Sequence, residues 1–330
     1  MKIIIIVTLF FYSIIYFVSC SKGTDVLINE EPPVNWKLQH TGITNNLKCI
    51  FFIDNNTGYS GGNSFPNDSN KFIITTNSGL NWQRSHINFQ ITSINGIYFI
   101  NSQTGFICGN SGPNGLIYKT TNSAVSWNAV SLPPISILND IKFYSQNFAI
   151  ASGYNGIILI SFDGGNSWQI SPSNTQLTLH SIHILNPQKI FISSDQGKVL
   201  YSSNGGNIWV MQNTGAEVSL KSIFFINENI GFACGQAGKL AATTNSGINW
   251  NVTTFPQNYE FSSVYFINSA TGFLIGDNGV VLKSIDGGIS FNKVKTETAN
   301  YLRKIQFVNE NIGWIAGETG TILKTTTGGN

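Results

Sequence analysis

Hydrophobic residues in this chain fall at alternate positions, in short runs cut by glycine and asparagine, and the runs recur. Ile50 and Phe52 are echoed by Ile97 and Phe99, Ile141 and Phe143, Ile182 and Ile184, Ile223 and Phe225, Val264 and Phe266, and Ile305 and Phe307. A two-residue spacing puts both members of a pair on one side of a β-strand. The residue between them varies among Phe51, Tyr98, Lys142, His183, Phe224, Tyr265 and Gln306, as expected where the surroundings are less demanding. A second column reads aromatic-x-x-Gly: Tyr59 to Gly62, Phe106 to Gly109, Phe232 to Gly235, Phe273 to Gly276 and Trp314 to Gly317, with the fourth unit departing at Phe191 and Ser194. In the fifth unit, LKSIFFIN (220–227), GFACG (231–235), GKLAATTN (238–245) and NWNVTTF (249–255) predict four short strands joined by Gly/Asn turns.

Between the third and fourth strands lies a box of the form Ser/Thr-x-Asp/Asn-x-Gly-x-x-Trp. It carries Asn77 and Trp82, Asn122 and Trp127, Asp163 and Trp168, Asn204 and Trp209, Asn245 and Trp250, and Asp286 and Phe291. The aromatic positions are spaced by 45, 41, 41, 41 and 41 residues, a period that signals a repeat architecture. Met alone, Asp163 beside two glycines could pass for a catalytic acid. As one of seven equivalents, ending in Thr327, it reads as a turn residue whose side chain accepts backbone N–H groups. Glycine at the fifth box position permits a left-handed backbone, and Ala124 there should carry some strain.

Such units cannot bury both faces alone, but seven stacked around an axis can. The fold predicted is all-β, a seven-bladed β-propeller of four-stranded antiparallel blades. The last unit ends at Asn330 without its Trp and fourth strand, and VNWKLQH (34–40) has the form of the missing piece. The N-terminal strand is therefore expected to complete the last blade. Trp36 would fill the slot that Trp250 fills in the fifth, and residues 35–39 would pair antiparallel near Thr321–Thr326.

Composition narrows the function. Charged residues make up only 10% of the chain, against about 25% in an average domain, and the net charge is +2. No basic stripe with interleaved aromatics is present, so nucleic acid is not an expected partner. Lys2 followed by the apolar run Ile3 to Val18 and then Ser19-Cys20 has the form of a signal peptide over 1–19. FVSC (17–20) resembles a lipobox, which makes Cys20 the expected lipidation site. Simple secretion and a retained N-terminal anchor are the alternatives. Residues 20–33 then form a tether and 34–330 the propeller. The expected location is extracytoplasmic, in a bacterial cell envelope.

Cys49, Cys108 and Cys234 sit inside strand patterns and read as small buried hydrophobes rather than a disulfide framework. Neither cysteine–histidine spacing nor converging carboxylates mark a metal site, and no cofactor is expected. The residue two before the first apolar position of each unit forms a column containing Lys48, His180, Lys221 and Arg303, and Lys304 follows Arg303. This column at one mouth is the candidate docking face for a protein partner. The loops between second and third strands form another ring, with Asp195, Asp277 and Glu318.

The boxes resemble BNR or Asp-box repeats. The longer stretches LKSIFFINENIGFACGQAGKLAATTNSGINW and LRKIQFVNENIGWIAGETGTILKTTTGG resemble the propeller of the Ycf48/HCF136 photosystem II assembly factors. The resemblance spans about residues 34–330. It implies a non-enzymatic, lumenal or membrane-attached scaffold that helps to assemble a protein complex. Sialidases share the box but need three arginines, and this chain has Arg84 and Arg303 alone. The alternative reading is a polysaccharide-binding or glycoside-hydrolysing Asp-box propeller, in which carbohydrate is the ligand.

Overall fold

Seven four-stranded sheets account for every strand of the computed structural model, which describes residues 34–63, 71–85 and 91–330. Each is an antiparallel blade, six of them with their strands in chain order and the seventh taking its outer strand from the N-terminal end of the described chain. Blade 5, for instance, consists of Leu220–Phe225, Gly231–Gly235, Lys239–Thr243 and Asn251–Thr254. The first strands of successive blades neighbour one another around the axis, and Leu47–Phe52 meets Leu302–Phe307 to close the ring. The signal segment, Cys20, the tether and His86 lie outside the described residues, as does most of the long loop after Gly62. No helix among the described residues is long and apolar enough to cross a membrane.

The two aromatic columns hold neighbouring blades together. In every blade but the fourth, where Ile184 stands, the second member of the inner-strand pair packs on the aromatic of the preceding blade's second strand. Phe52 lies 3.5 Å from Trp314, Phe99 4.0 Å from Tyr59, and Phe225 3.8 Å from Phe191, centroid to centroid. The box indole then meets the same ring edge-on, as in Trp82 on Phe52, Trp127 on Phe99, Trp168 on Phe143 and Trp250 on Phe225. Such pairs add about 0.5–1.5 kcal/mol each beyond the area they bury. Phe291, the one box residue that is not Trp, packs on Phe255 instead.

Closure follows the expected route. The strand Lys37–Gln39 pairs antiparallel with Ile322–Thr325, in the register Lys37 to Lys324, Leu38 to Leu323 and Gln39 to Ile322. Trp36 is fully buried and meets Phe307 edge-on at 5.7 Å and 82°, the geometry Trp250 makes with Phe225 at 6.2 Å and 84°. The segment is tied further by Leu38 N–H donating to Glu297 and Thr41 Oγ1 donating to Gly320 O.

Every inner strand carries one irregularity. Its ladder with the second strand skips a residue near its start, between Leu47 and Cys49 in blade 1 and at the same place in the other six. These are β-bulges, and a bulge re-aims the side chain it contains. The bulge also explains the glycine that ends the second strand. A Cβ at Gly62 would lie 1.7 Å from Asn46 O, and one at Gly235 1.9 Å from Ser219 O. Close approach of the bulged backbone disfavours side chains there, and only blade 4 carries one, Ser194.

Candidate functional site

The inner strands enclose an axial cavity of about 520 Å³. In a regular strand Lys48 would share a face with Ile50 and Phe52. The bulge at position 48 breaks that alternation, so Lys48 and Phe51, three residues apart, both line the channel while Ile50 and Phe52 stay buried. The same holds in the other blades, except that Ile184 of blade 4 is half-buried and reaches the channel as well. One ring of lining residues is therefore Lys48, Asn95, Asn139, His180, Lys221, Ser262 and Arg303, and another is Phe51, Tyr98, Lys142, His183, Phe224, Tyr265 and Gln306.

The strand pairing fixes the ends. Leu47 pairs with Gly62, where the second strand ends, so the Lys48 ring opens among the loops between second and third strands. The third strand runs back to the far end, so the boxes ring the opposite side. The acidic loop residues thus face the basic column. Asp195 lies 2.7 Å from His180 Nε2 and also accepts from Ser219 Oγ, and Glu318 forms an ion pair with Arg303. Arg303 also stacks on Tyr301, 4.0 Å from the ring centroid. Lys48 Nζ donates to Ser93 Oγ at 3.1 Å and to Asn95 Oδ1 at 3.2 Å. Lys221 Nζ sits 3.3 Å from His180 Nε2. With its proton on Nε2, His180 donates to Asp195 and offers Lys221 no lone pair.

Lys304 is placed differently from its neighbour. It lies in the interior of the channel with Asp140 and Lys142, whose side chains form an ion pair at 3.4 Å. Asp140 also accepts the backbone N–H of Ile182, joining blades 3 and 4. Among the described residues, the lining holds Lys48, Lys142, Lys221, Arg303 and Lys304 against Asp140 as its single carboxylate. The channel is thus far more cationic than a chain of net charge +2 would suggest.

Enclosure tunes these groups. Burial, then Arg303, lowers the Lys48 pKa, and burial likewise lowers that of Lys221. Burial and the Lys142 ammonium lower that of Lys304. Lys142 goes the other way, because Asp140 and Tyr98 more than offset its burial. Burial and Lys221 hold His180 below its ordinary value, and burial and Lys142 bring His183 down to about 4, so both imidazoles are neutral at pH 7. Burial works against the Asp195 carboxylate, yet Ser219 and His180 keep it at about 2.

The boxes are self-contained. In the fifth, Gly247 N–H donates to Thr243 Oγ1 at 2.9 Å and Asn249 N–H to Asn245 Oδ1 at 2.9 Å. Asn77, Asn122 and Asn204 accept equivalent backbone bonds. Asp163 accepts from Ser161 Oγ, Ser167 N–H and Ser167 Oγ, and Asp286 from Ser284 and Ser290 in the same way. Hydroxyl and backbone donors from Ser167 and Ser290 hold the two carboxyls at about 2. Ala124 does adopt the left-handed conformation, at φ 66°. Trp209 donates its indole N–H to Ser171 Oγ. Cys49, Cys108 and Cys234 are buried free thiols. Among the described residues no three His, Cys, Asp or Glu side chains gather as a metal site would need.

Residues 242–330, from the fifth box to Asn330, match the family model described as Photosynthesis system II assembly factor YCF48. No curated protein matches the chain. Among solved structures, YCF48 bound to D1 peptide has a TM-score of 0.74 at 21% identity, over 89% of this chain and 95% of that one. YCF48 from Cyanidioschyzon merolae gives 0.71 at 17% identity, over 88% and 98%. An ancestral GH74 enzyme gives 0.68 at 17% identity, over 88% of this chain and 46% of the enzyme. At these identities the structural likeness is one of fold. The family resemblance read from the repeats is found in the matched C-terminal residues.

Proposed function

We propose that this chain is a non-enzymatic scaffold that docks a segment of a protein partner on the channel mouth ringed by Lys48, His180, Lys221 and Arg303. The observation that carries the reading is the state of the charges there. Cationic heads line an open mouth, while the nearby carboxylates are already engaged: Asp195 by His180 and Ser219, Glu318 by Arg303, Asp140 by Lys142. A glycosidase needs two carboxyl groups about 5–10 Å apart and free to act, and the described residues of the channel lining include one. The YCF48 structure with a D1 peptide supports a protein ligand for a propeller of this kind. Cationic mouths favour acidic segments and speed their encounter.

The partner belongs to an envelope or membrane complex under assembly, and the propeller is exported and held at the membrane through lipid on Cys20. One acyl chain binds a membrane only marginally and several bind it stably. Two experiments test these parts separately. Affinity capture with the wild-type propeller should recover a protein that is lost with the Lys48→Glu/Lys221→Glu double variant and at raised salt. Recovery of glycans without protein, or capture indifferent to the double variant, would replace this reading with the carbohydrate one. For the anchor, a palmitate analogue should label the wild type, and Cys20→Ala should abolish both label and detergent partitioning. An unlabelled, soluble wild type would refute anchoring.

A further inference from the structure

Among the described residues deep in the channel, Lys304 is the cation with neither a hydrogen bond nor an ion pair; Lys221, which also lacks an accepting partner, stands at the mouth. Lys48 is held by Ser93 and Asn95, Lys142 by Asp140 and Arg303 by Glu318, while Lys221 has His180 beside it. The repeat makes the anomaly plain. The column of Lys304 holds Cys49, Gly96, Ser181, Ser222 and Ser263 in five other blades, so a long side chain projects where the architecture otherwise leaves room. It is half-buried in the channel, and Lys142 adds a like charge. An enclosed ammonium without a counter-ion is unfavourable unless something completes it.

The next ring supplies a different chemistry. Phe51 and Tyr98 lie 5.1 Å apart, His183 and Phe224 5.0 Å, and Phe224 and Tyr265 5.3 Å, all with ring faces or edges on the channel. His183 is neutral and Gln306 is committed to both backbone groups of Phe52. One free cation beside an aromatic wall, in about 520 Å³, has the size and composition of a small-molecule site.

We infer that the channel interior binds a small organic monoanion, its carboxylate on Lys304 Nζ and its apolar body against Phe51, Tyr98, Phe224 and Tyr265. One unpaired cation in the interior sets the charge at one, because Asp140 already neutralises Lys142 and Lys221 stands at the mouth. This site stands without the protein partner proposed above, since it lies inside the channel rather than on its mouth.

The test uses the full chain and three probes, 2-naphthoate, its neutral analogue 2-naphthamide, and inorganic phosphate, titrated by calorimetry. 2-Naphthoate should bind one site, and 2-naphthamide about 10–100-fold more weakly, the range expected for one hydrogen bond to a charged group. Phosphate should bind more weakly than 2-naphthoate. Lys304→Met and Lys304→Gln should each erase the preference for the acid over the amide, and Lys304→Arg should retain it. Thermal unfolding of the Met and Gln variants should match or exceed the wild type, because each removes an enclosed charge. Equal binding of acid and amide, phosphate as tight as naphthoate, no binding of naphthoate at millimolar concentration, or a preference that survives in a folded Lys304→Met or Lys304→Gln protein would overturn the inference.

Discussion

Trp36→Ala is the perturbation that bears most directly on how the ring is held shut. The indole is fully buried and meets Phe273 at 5.9 Å and Phe307 at 5.7 Å, both edge-on. Its Nε1 has no hydrogen-bond partner, so truncation sacrifices packing and no polar contact. Removing a buried Trp side chain costs about 3–5 kcal/mol. At about 2 °C per kcal/mol for a domain of this size, the melting temperature should fall by roughly 6–10 °C. Trp36→Phe should lose less than half of that, since blade 6 already carries Phe291 at the equivalent position. Trp250→Ala is the matched control, because that indole is only partly buried and its outer strand is continuous with its own blade. Circular dichroism melts and limited proteolysis would measure all three. A Trp36→Ala protein melting within about 1 °C of wild type, or a larger loss in Trp250→Ala, would refute the argument that this residue secures the seam.

Three further outcomes follow from the boxes and the thiols. Asp163 and Asp286 titrate at about 2, below the ordinary carboxylate value, so the stability they add is complete above about pH 4 and lost as pH falls through about 2. An Asp163→Asn/Asp286→Asn variant should unfold with less pH dependence across that window and melt like wild type at pH 7, as Asn204 and Asn245 support the same turn. Gly165→Ala should cost about 2–3 kcal/mol in denaturant unfolding, because φ is +75° and the new Cβ would lie 2.5 Å from Phe106. Burial raises the pKa of all three described thiols, Cys49 to about 12, so a Cys20→Ser protein should not react with Ellman's reagent until denaturant is added.

The fold was legible because each blade repeats the same solution. Ile50 and Phe52, the box tryptophans and the orphan strand at Trp36 are each fixed by burial, and burial leaves a period in the sequence. The site was only partly legible. Lys48, His180, Lys221 and Arg303 were found as a column, but their partners were not, because Asp195 and Glu318 reach them across the blade rather than along the strand. Phe51 and Tyr98 read as residues in undemanding surroundings, whereas they line the channel. Two-residue alternation assumes an unbroken ladder, and the bulge between Leu47 and Cys49 resets it. Its trace in the sequence is the glycine at 62, 109, 153, 235, 276 and 317, which marks close backbone approach and not only a turn. Lys304 and Asp140 stood out only as exceptions in a column of small residues.

The pairing of Lys37 with Lys324 also sets an order in time. The strand that completes the last blade is the first to leave the ribosome, and its partner follows after on the order of 290 residues, roughly 15–60 s of synthesis. Through that interval Trp36 has no slot, and a growing stack of blades carries an uncovered apolar face at each end. Six blades can assemble from neighbours in sequence, but the seventh must wait for the whole chain. Folding should therefore finish with one slow long-range step, and a ring under load should unzip first at Lys37–Gln39, where two ends of one polypeptide meet.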